Sequence, residues 1–141
     1  MASDDQQILV ISNQHEYRFF PPNRCAFVLR GVLEEDDAVA YTKFIYHHAD
    51  QFNTLLDATF EITTLGRVTA GARTHFMSVT RSYPLRRIGF IGASFSIKMM
   101  VTMLIRAGRV VAPDKWGFDF EFVSTIQEAE AWLNNSPKSR R

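Results

Sequence analysis

The residues best suited to chemistry are a serine at a predicted strand-to-helix turn, four histidines and a run of acids. Residues 92–96 (Gly-Ala-Ser-Phe-Ser) match in part the Gly-x-Ser-x-Gly pattern that exposes a nucleophilic serine. The fifth residue of this turn is serine instead of glycine, and no histidine follows His75 to act as the base. We therefore expect no hydrolase activity at Ser94, and we assign no catalytic residue.

Metal and cofactor chemistry find little support in the sequence. His47 and His48 are adjacent, so a helix would direct them to different faces. The single cysteine, Cys25, excludes an intramolecular disulfide and a cysteine-based zinc site, and it fits a cytoplasmic protein. No Walker or dinucleotide glycine pattern is present. The acids at 34–37 are typical of the first turn of a helix, where they complement its dipole. We expect no metal and no cofactor.

Charge is strongly segregated along the chain, although the formal net charge is only +1. Residues 62–113 contain no acid and eight basic side chains: Arg67, Arg73, Arg81, Arg86, Arg87, Lys98, Arg106 and Arg109. Such a segment could attract a lipid headgroup, a phosphorylated ligand or an acidic protein face, or it could be a plain solvated face. The pI near 7.9 and the lack of an aromatic–basic motif argue against nucleic acid.

The elements that would position these residues alternate between strand and helix. We predict a hairpin over residues 17–32, a helix after the acids, a strand at 54–60 and a helix starting at Thr63 or Thr64. A strand at 87–93, a helix from Ser94 or Ser96 to Gly108, a strand at 118–122 and a last helix follow. This order predicts an α/β fold with a mixed sheet of about five strands covered by four helices.

The length of 141 residues predicts one domain, which we place at residues 17–134. Residues 1–16 form an N-terminal segment that is expected to be partly disordered, although residues 8–12 could make a first strand. Residues 135–141 form a basic tail. The acidic N-terminus carries no secretory signal, and no apolar run is long enough to span a bilayer. We therefore expect a cytoplasmic protein that is not transmembrane.

The predicted third helix carries two apolar stripes. One stripe would face the sheet and contains Ile97, Met100, Val101, Leu104 and Ile105. A second stripe, Phe95, Met99 and Met103, lies roughly opposite it at i, i+4 and i+8. A neighbouring helix or the tail could cover this second stripe. Otherwise it is a surface for a protein partner or for self-association, flanked by Lys98, Arg106 and Arg109 that could meet the acids of another copy.

Four segments together resemble the SpoIIAA-like branch of the STAS-type fold, which is related to SEC14 domains. They are residues 28–33 before the acidic helix, 55–57 before the second helix, 87–92, and 120–123 followed by 128–133. The resemblance implies a non-enzymatic regulatory, protein-binding or small-ligand-binding module of bacterial type. In anti-anti-sigma relatives a phosphorylatable serine begins the second helix. The matching place here lacks that serine and its acidic neighbour, so Thr63 and Thr64 are the candidates, with Arg67 and Ser94 as further anion-site candidates.

The sequence is thus interpreted as a regulatory or scaffolding module that acts through protein–protein contacts, either with a partner or as a homodimer. The alternative is a domain that binds a lipid or a small amphipathic or anionic ligand, and an enzyme ranks third. A large apolar cavity would favour the ligand, whereas an exposed Phe95–Met99–Met103 stripe would favour the protein partner.

Overall fold

The computed structural model describes residues 7–135 of the chain. The predictions made for residues 1–6 and for the tail beyond Asn135 lie outside this range. Within it, the strands are β1 Ile8–Ser12, β2 His15–Phe20, β3 Arg24–Val28, β4 Gly31–Leu33, β5 Leu56–Glu61, β6 Leu65–Val68, β7 Leu85–Ile91 and β8 Asp119–Val123. The helices are α1 Glu35–Phe52, α2 Ala70–Met77, α3 Phe95–Val111 and α4 Ile126–Asn134.

A six-stranded mixed sheet in the order β1-β2-β3-β5-β7-β8 forms the centre of the molecule. The β1, β2 and β3 strands are antiparallel neighbours, and β3, β5, β7 and β8 are parallel. A second, two-stranded parallel sheet pairs β4 with β6. The predicted mixed α/β fold with four helices is confirmed. The large sheet has one strand more than the five expected, because residues 8–12 pair with β2.

Aromatic side chains form the core on one face of the large sheet. Tyr17, Phe27, Phe60, Phe90 and Phe122 lie in one register row across β2, β3, β5, β7 and β8. Consecutive ring centroids in this row are 5.5, 4.7, 5.4 and 5.3 Å apart. These distances lie in the attractive range for aromatic pairs. Helices α1, α2 and α3 cover this face and bring further rings such as Tyr41 and Phe76 to it.

Helix α4 packs on the opposite face, where the sheet is polar. A Cβ added to Gly89 would lie 3.2 Å from the Cβ of Ala129, so the helix approaches the backbone of β7 closely. Buried Arg87 donates to the carbonyls of Trp132 and Asn135 and stacks on the Trp132 ring. The guanidinium of Arg87 therefore fastens the carboxyl-terminal end of α4 to β7.

The second helix begins later than predicted. Residues 65–68 form β6, and α2 starts at Ala70, so Thr63 and Thr64 are not its caps. Thr69 is the N-cap, and its hydroxyl accepts from the N–H of Ala72 at 3.2 Å. The three-residue spacing of buried Leu65 and Val68 is that of one face of a helix, because in a strand these two side chains point to opposite faces. Leu65 and Val68 lie in a strand because β4 supplies hydrogen-bonding partners to the backbone of this segment.

The predicted strand over residues 25–32 is also divided. Gly31 has φ +64°, a left-handed conformation that favours glycine, and this bend separates β3 from β4. The N–H of Arg30 next to the bend donates to His15 Nδ1, and the N–H of Gly31 donates to the carbonyl of Thr64. Apolar periodicity cannot show a bend that backbone hydrogen bonds at a glycine create.

Replacing the N-cap Thr69 by alanine should lower the free energy of unfolding by about 1 kcal/mol, because an N–H of the first turn of α2 loses its acceptor. Urea unfolding followed by circular dichroism would measure this cost. Thr64→Ala is the matched control and should cost clearly less. Equal losses for the two variants would contradict the assignment of the cap.

Protonation of His48 should weaken the fold. This side chain is buried, and its ring stacks on Phe19 with centroids 4.2 Å apart. Burial lowers the pKa of His48 below its ordinary value of 6.5. The neutral form is thus favoured in the folded state, so the contribution to stability is complete above the unfolded pKa of about 6.5 and is lost as pH falls through the lowered pKa.

We therefore expect the free energy of unfolding to fall between pH 7.5 and pH 5.5, with a smaller fall in His48→Gln. The exposed neighbour supplies a control, since His47→Gln leaves the buried His48 ring in place and the fall should persist. Urea unfolding curves at several pH values would measure all three proteins. An unchanged slope in His48→Gln would refute the assignment.

Candidate functional site

The outer face of α3 is the most exposed apolar surface of a helix in residues 7–135. Phe95 is 78% exposed, Met99 48% and Met103 63%, whereas Ile97 and Ile105 on the inner face are buried. The hydroxyl of Ser94 accepts from the N–H of Ile97 and starts the helix, as the sequence predicts. The two predicted stripes therefore lie on opposite sides of α3, and no described element covers the outer one.

This surface continues beyond the predicted end of α3. The helix runs to Val111 instead of stopping at Gly108, and Val110 and Val111 are 83% and 72% exposed. Gly108 is required by packing rather than by a helix end, because a Cβ there would lie 2.2 Å from the ring of Trp116. We name Phe95, Met99, Met103 and Val110 the α3 surface, since these residues fall on one side of the helix.

Most of the basic segment is engaged within the fold. Arg86 forms a bidentate ion pair with buried Asp57, and Arg81 pairs with Asp50. Backbone carbonyls accept from three more arginines, namely Arg73, Arg87 and Arg109. Five of the eight basic side chains thus have partners within the fold, so the count along the sequence overstates the free positive charge. Lys98 and Arg106 remain exposed on α3, and Arg67 is exposed on β6.

Arg109 is a poor member of the predicted basic rim. Its Nε donates to the carbonyl of Trp116 at 3.0 Å, a second nitrogen donates to the carbonyl of Phe118, and its guanidinium lies 5.5 Å from the ring centre of Phe120. This side chain fastens the loop after α3 to the helix. Lys98 therefore lies beside the α3 surface, whereas Arg106 lies on the same side of the helix as the surface itself, between Met103 and Val110.

The candidate anion-site residues lie near the carboxyl ends of the parallel strands, but they do not converge. Thr63 follows β5, and a Cβ on Gly92 would lie 2.3 Å from its Oγ1, so Thr63 packs against the turn that leads to Ser94. The carbonyl of Thr64 accepts from Gly31, and Arg67 lies in β6. Within residues 7–135, no hydrogen bond joins Arg67 to Thr63, Thr64 or Ser94.

A serine, a histidine and an aspartate meet elsewhere, at the start of α1. The carboxylate of buried Asp37 accepts from Ser12 at 2.8 Å, from Asn13 and from the N–H of Glu34, and it lies 3.3 Å from Nε2 of buried His15. Both the serine and the histidine contact the acid, whereas a catalytic triad needs the histidine between the other two. This cluster ties the β1–β2 turn to α1.

Asp37 is also unavailable to a partner. Burial would raise the pKa of this carboxyl, but hydrogen bonds from Glu34 N–H, Ser12 and Asn13 and the nearby His15 outweigh it, so the pKa lies below its ordinary value. The predicted contact of residues 34–37 with a basic rim on another copy therefore cannot include Asp37. Its interpretation as a structural acid in the first helical turn agrees with the geometry.

An apolar cavity of about 100 Å³ lies between the aromatic face and α3. Phe60, Phe90, Met100, Leu104 and Trp116 are among its lining residues. A surface groove between α2 and α3 runs above it, and Met100 and Leu104 border both spaces. Arg73 lines the groove. The cavity is comparable with an engineered one of about 150 Å³ that binds benzene, so it has room for a small apolar group.

No group of three or more His, Cys, Asp or Glu side chains among residues 7–135 is placed to hold a metal ion. No helix in this part of the chain has both the length and the apolar character needed to cross a membrane.

The chain is similar in fold to a solved structure. No protein-family model matches the chain, and no curated protein matches it. A solved structure of an uncharacterized protein from the DUF3478 family of Shewanella loihica PV-4, described as having a SpoIIAA-like fold, aligns with a TM-score of 0.55. The alignment covers 90% of this chain and 91% of the other, at 18% identity. The chain has a SpoIIAA-like fold. The predicted resemblance is thereby confirmed for the fold alone.

Proposed function

We propose that this SpoIIAA-like chain is a non-enzymatic regulatory or scaffolding module that binds another protein through the α3 surface. The observation that carries this proposal is the exposure of Phe95, Met99 and Met103 along one side of a helix whose other side is already buried. Exposed aromatic and methionine side chains are enriched at the centres of protein interfaces. Methionine also adapts its shape to a partner.

The chemistry of the partner follows from the rim. Burying a large apolar side chain stabilises a complex by about 1.5–3 kcal/mol, so three such residues supply most of a moderate affinity. Lys98 beside the apolar surface and Arg106 between Met103 and Val110 are both exposed. A partner with an apolar groove edged by acidic side chains would complement both features. Ser94, the residue closest to a catalytic pattern, serves as the helix cap, which supports a role without catalysis.

Met99→Glu should abolish binding to such a partner, because it places a charge at the centre of the α3 surface. Wild type and variant would each be immobilised, and proteins retained from an extract of the native host would be compared. Ser96→Glu is the matched control, since it adds the same charge at an exposed position one residue past the start of α3. A photo-crosslinking amino acid at position 99 would then report direct contact.

The retained protein should be present with wild type and Ser96→Glu and absent with Met99→Glu. Equal retention by all three, or a crosslink that forms only at control positions, would contradict the proposal.

The cavity favours a second candidate function, the binding of a single-chain anionic amphiphile. The tip of an alkyl chain would enter the cavity by displacing Met100 and Leu104, and the rest of the chain would lie in the α2–α3 groove. Arg73 lines that groove and has no carboxylate partner among the described ion pairs, so its guanidinium could face the headgroup. The small volume means that only the end of a chain fits inside.

Quenching of Trp116 by a dodecanoate with bromine at the end of its chain should reveal this ligand, because Trp116 lines the cavity. Trp132→Phe would remove the other tryptophan. In that background Val101→Phe, which fills the cavity, should abolish quenching, and Val110→Phe, the same change at an exposed site, should not. Quenching that survives Val101→Phe would exclude the cavity as the site.

A further inference from the structure

We infer that β1 pairs with β1 of a second copy about a twofold axis, and that the resulting dimer presents two α3 surfaces at its opposite ends. The inference begins from the edge of the large sheet. β1 is the outermost strand, and no described strand pairs with its outer side. Its backbone groups on that side are therefore open to another strand.

The side chains of β1 lack the features that normally protect a sheet edge. Ile8, Leu9, Val10 and Ile11 are four consecutive apolar residues, and each is between 38% and 59% exposed. The strand contains no charged residue and no proline, and its register with β2 continues without a bulge. Native edges are usually protected by at least one of these features. The other edge strand, β8, carries Asp119 and Glu121.

Both faces of β1 are apolar, which is unusual for a strand with a solvated face. By register, Ile8 and Val10 lie beside Phe19 and Tyr17 on the aromatic face, and Leu9 and Ile11 lie on the other face. Phe52, which is also exposed, contacts Phe19 with ring centroids 5.4 Å apart and extends the patch next to Ile8. An occupant must therefore offer a strand that is apolar on both of its faces.

A second copy satisfies that requirement by symmetry. An antiparallel pair with its twofold axis at Val10 places Val10 opposite itself, Leu9 opposite Ile11, and Ile8 opposite Ser12. Arg18 lies beside Leu9 and Glu16 beside Ile11, and the two side chains are ion-paired within one copy. This register therefore brings no unpaired like charges to the two ends of a row across the dimer.

The expected dimer is reversible. A stable interface usually buries about 800 Å² on each partner, and a single pair of five-residue strands buries less than this. Its closure is nevertheless specific, because each copy has one such edge and an isologous contact uses it completely. The dimer would thus stop at two copies rather than grow into a fibre.

The topology gives this dimer a functional consequence, which rests on the proposed role of the α3 surface. α3 connects β7 to β8, at the sheet edge opposite β1. With strands spaced about 4.8 Å apart, β7 lies roughly 20 Å from β1 within one copy. The twofold axis therefore places the two α3 surfaces far apart, and a partner with repeated sites could be held by both with increased avidity.

Charged substitutions at Val10 test the axis directly. Val10→Lys and Val10→Glu each place like charges opposite one another, so each variant should dimerise at least about a hundredfold more weakly than the wild type. Mixing equal amounts of the two should restore a heterodimer, because lysine then faces glutamate. Val111→Lys, the same change at an exposed position outside the α3 surface, should leave the dimer intact. Sedimentation velocity over a range of concentrations measures each case.

Several results would overturn the inference. They are a wild type that stays monomeric at high concentration, a dimer that survives Val10→Lys, a mixture that fails to restore pairing, or open-ended oligomers. A dimer split by Met99→Glu but not by Val10→Lys would place the contact on α3 instead. A different result would contradict the proposed function. In that case the Val10-dependent dimer remains, and Met99→Glu has no effect on partner binding.

Discussion

The row of five aromatic rings across β2, β3, β5, β7 and β8 is the constraint on which the rest of the structure depends. Each contact between neighbouring rings adds about 0.5–1.5 kcal/mol beyond the burial of its area. A slip of one residue in any strand would turn its rings toward the polar face, where Asp57 and Arg87 lie. The row therefore fixes the register of the sheet, and the sheet fixes the loops that lead into α2 and α3.

The same row explains the cavity beneath α3. In the adjacent row the residues at the centre are small, Cys25 and Ala58, so the covering helices can approach the sheet closely there. Helix α3 crosses over the large rings of Phe60 and Phe90. Its half-buried side chains Met100 and Leu104 leave a gap above these rings. Trp116 closes one side of this gap and packs against Gly108. The cavity is thus a consequence of packing a helix on rings of fixed position.

The sequence allowed the prediction of features that depend on periodicity. The division of α3 into a buried stripe and an exposed one follows from a spacing that only a helix produces, and the structure shows it. Features that depend on contacts between distant residues were missed. The spacing of Leu65 and Val68 is that of a helix, and only their pairing with β4 shows that they lie in a strand. Gly108 has the sequence character of a helix end, but the ring of Trp116 is the reason for it.

The acid-free basic segment, residues 62–113, shows that a charge count along the sequence likewise misses contacts between distant residues. Arg81 and Arg86 find their acids outside the segment, at Asp50 and Asp57, so a count along the chain overstates the free positive charge. What remains near the α3 surface is Lys98 and Arg106. Two cations beside a long apolar stripe indicate a partner recognised first by its shape and apolar groove. Charge would then set the orientation and the rate of association rather than most of the affinity.

The two exposed apolar surfaces differ in physical character, and this difference argues for separate roles. β1 offers backbone hydrogen-bonding groups in a fixed line, which only another strand can match, so its choice of partner is narrow. The α3 surface offers flexible methionines and a phenylalanine, which adapt to many shapes. A strand edge that closes on itself and a helix surface that stays open would together make a symmetric module with two identical binding faces. Neither surface alone would give the chain that property. Pairing between two copies occupies the β1 edge completely, and the α3 surface of a single copy binds only one partner.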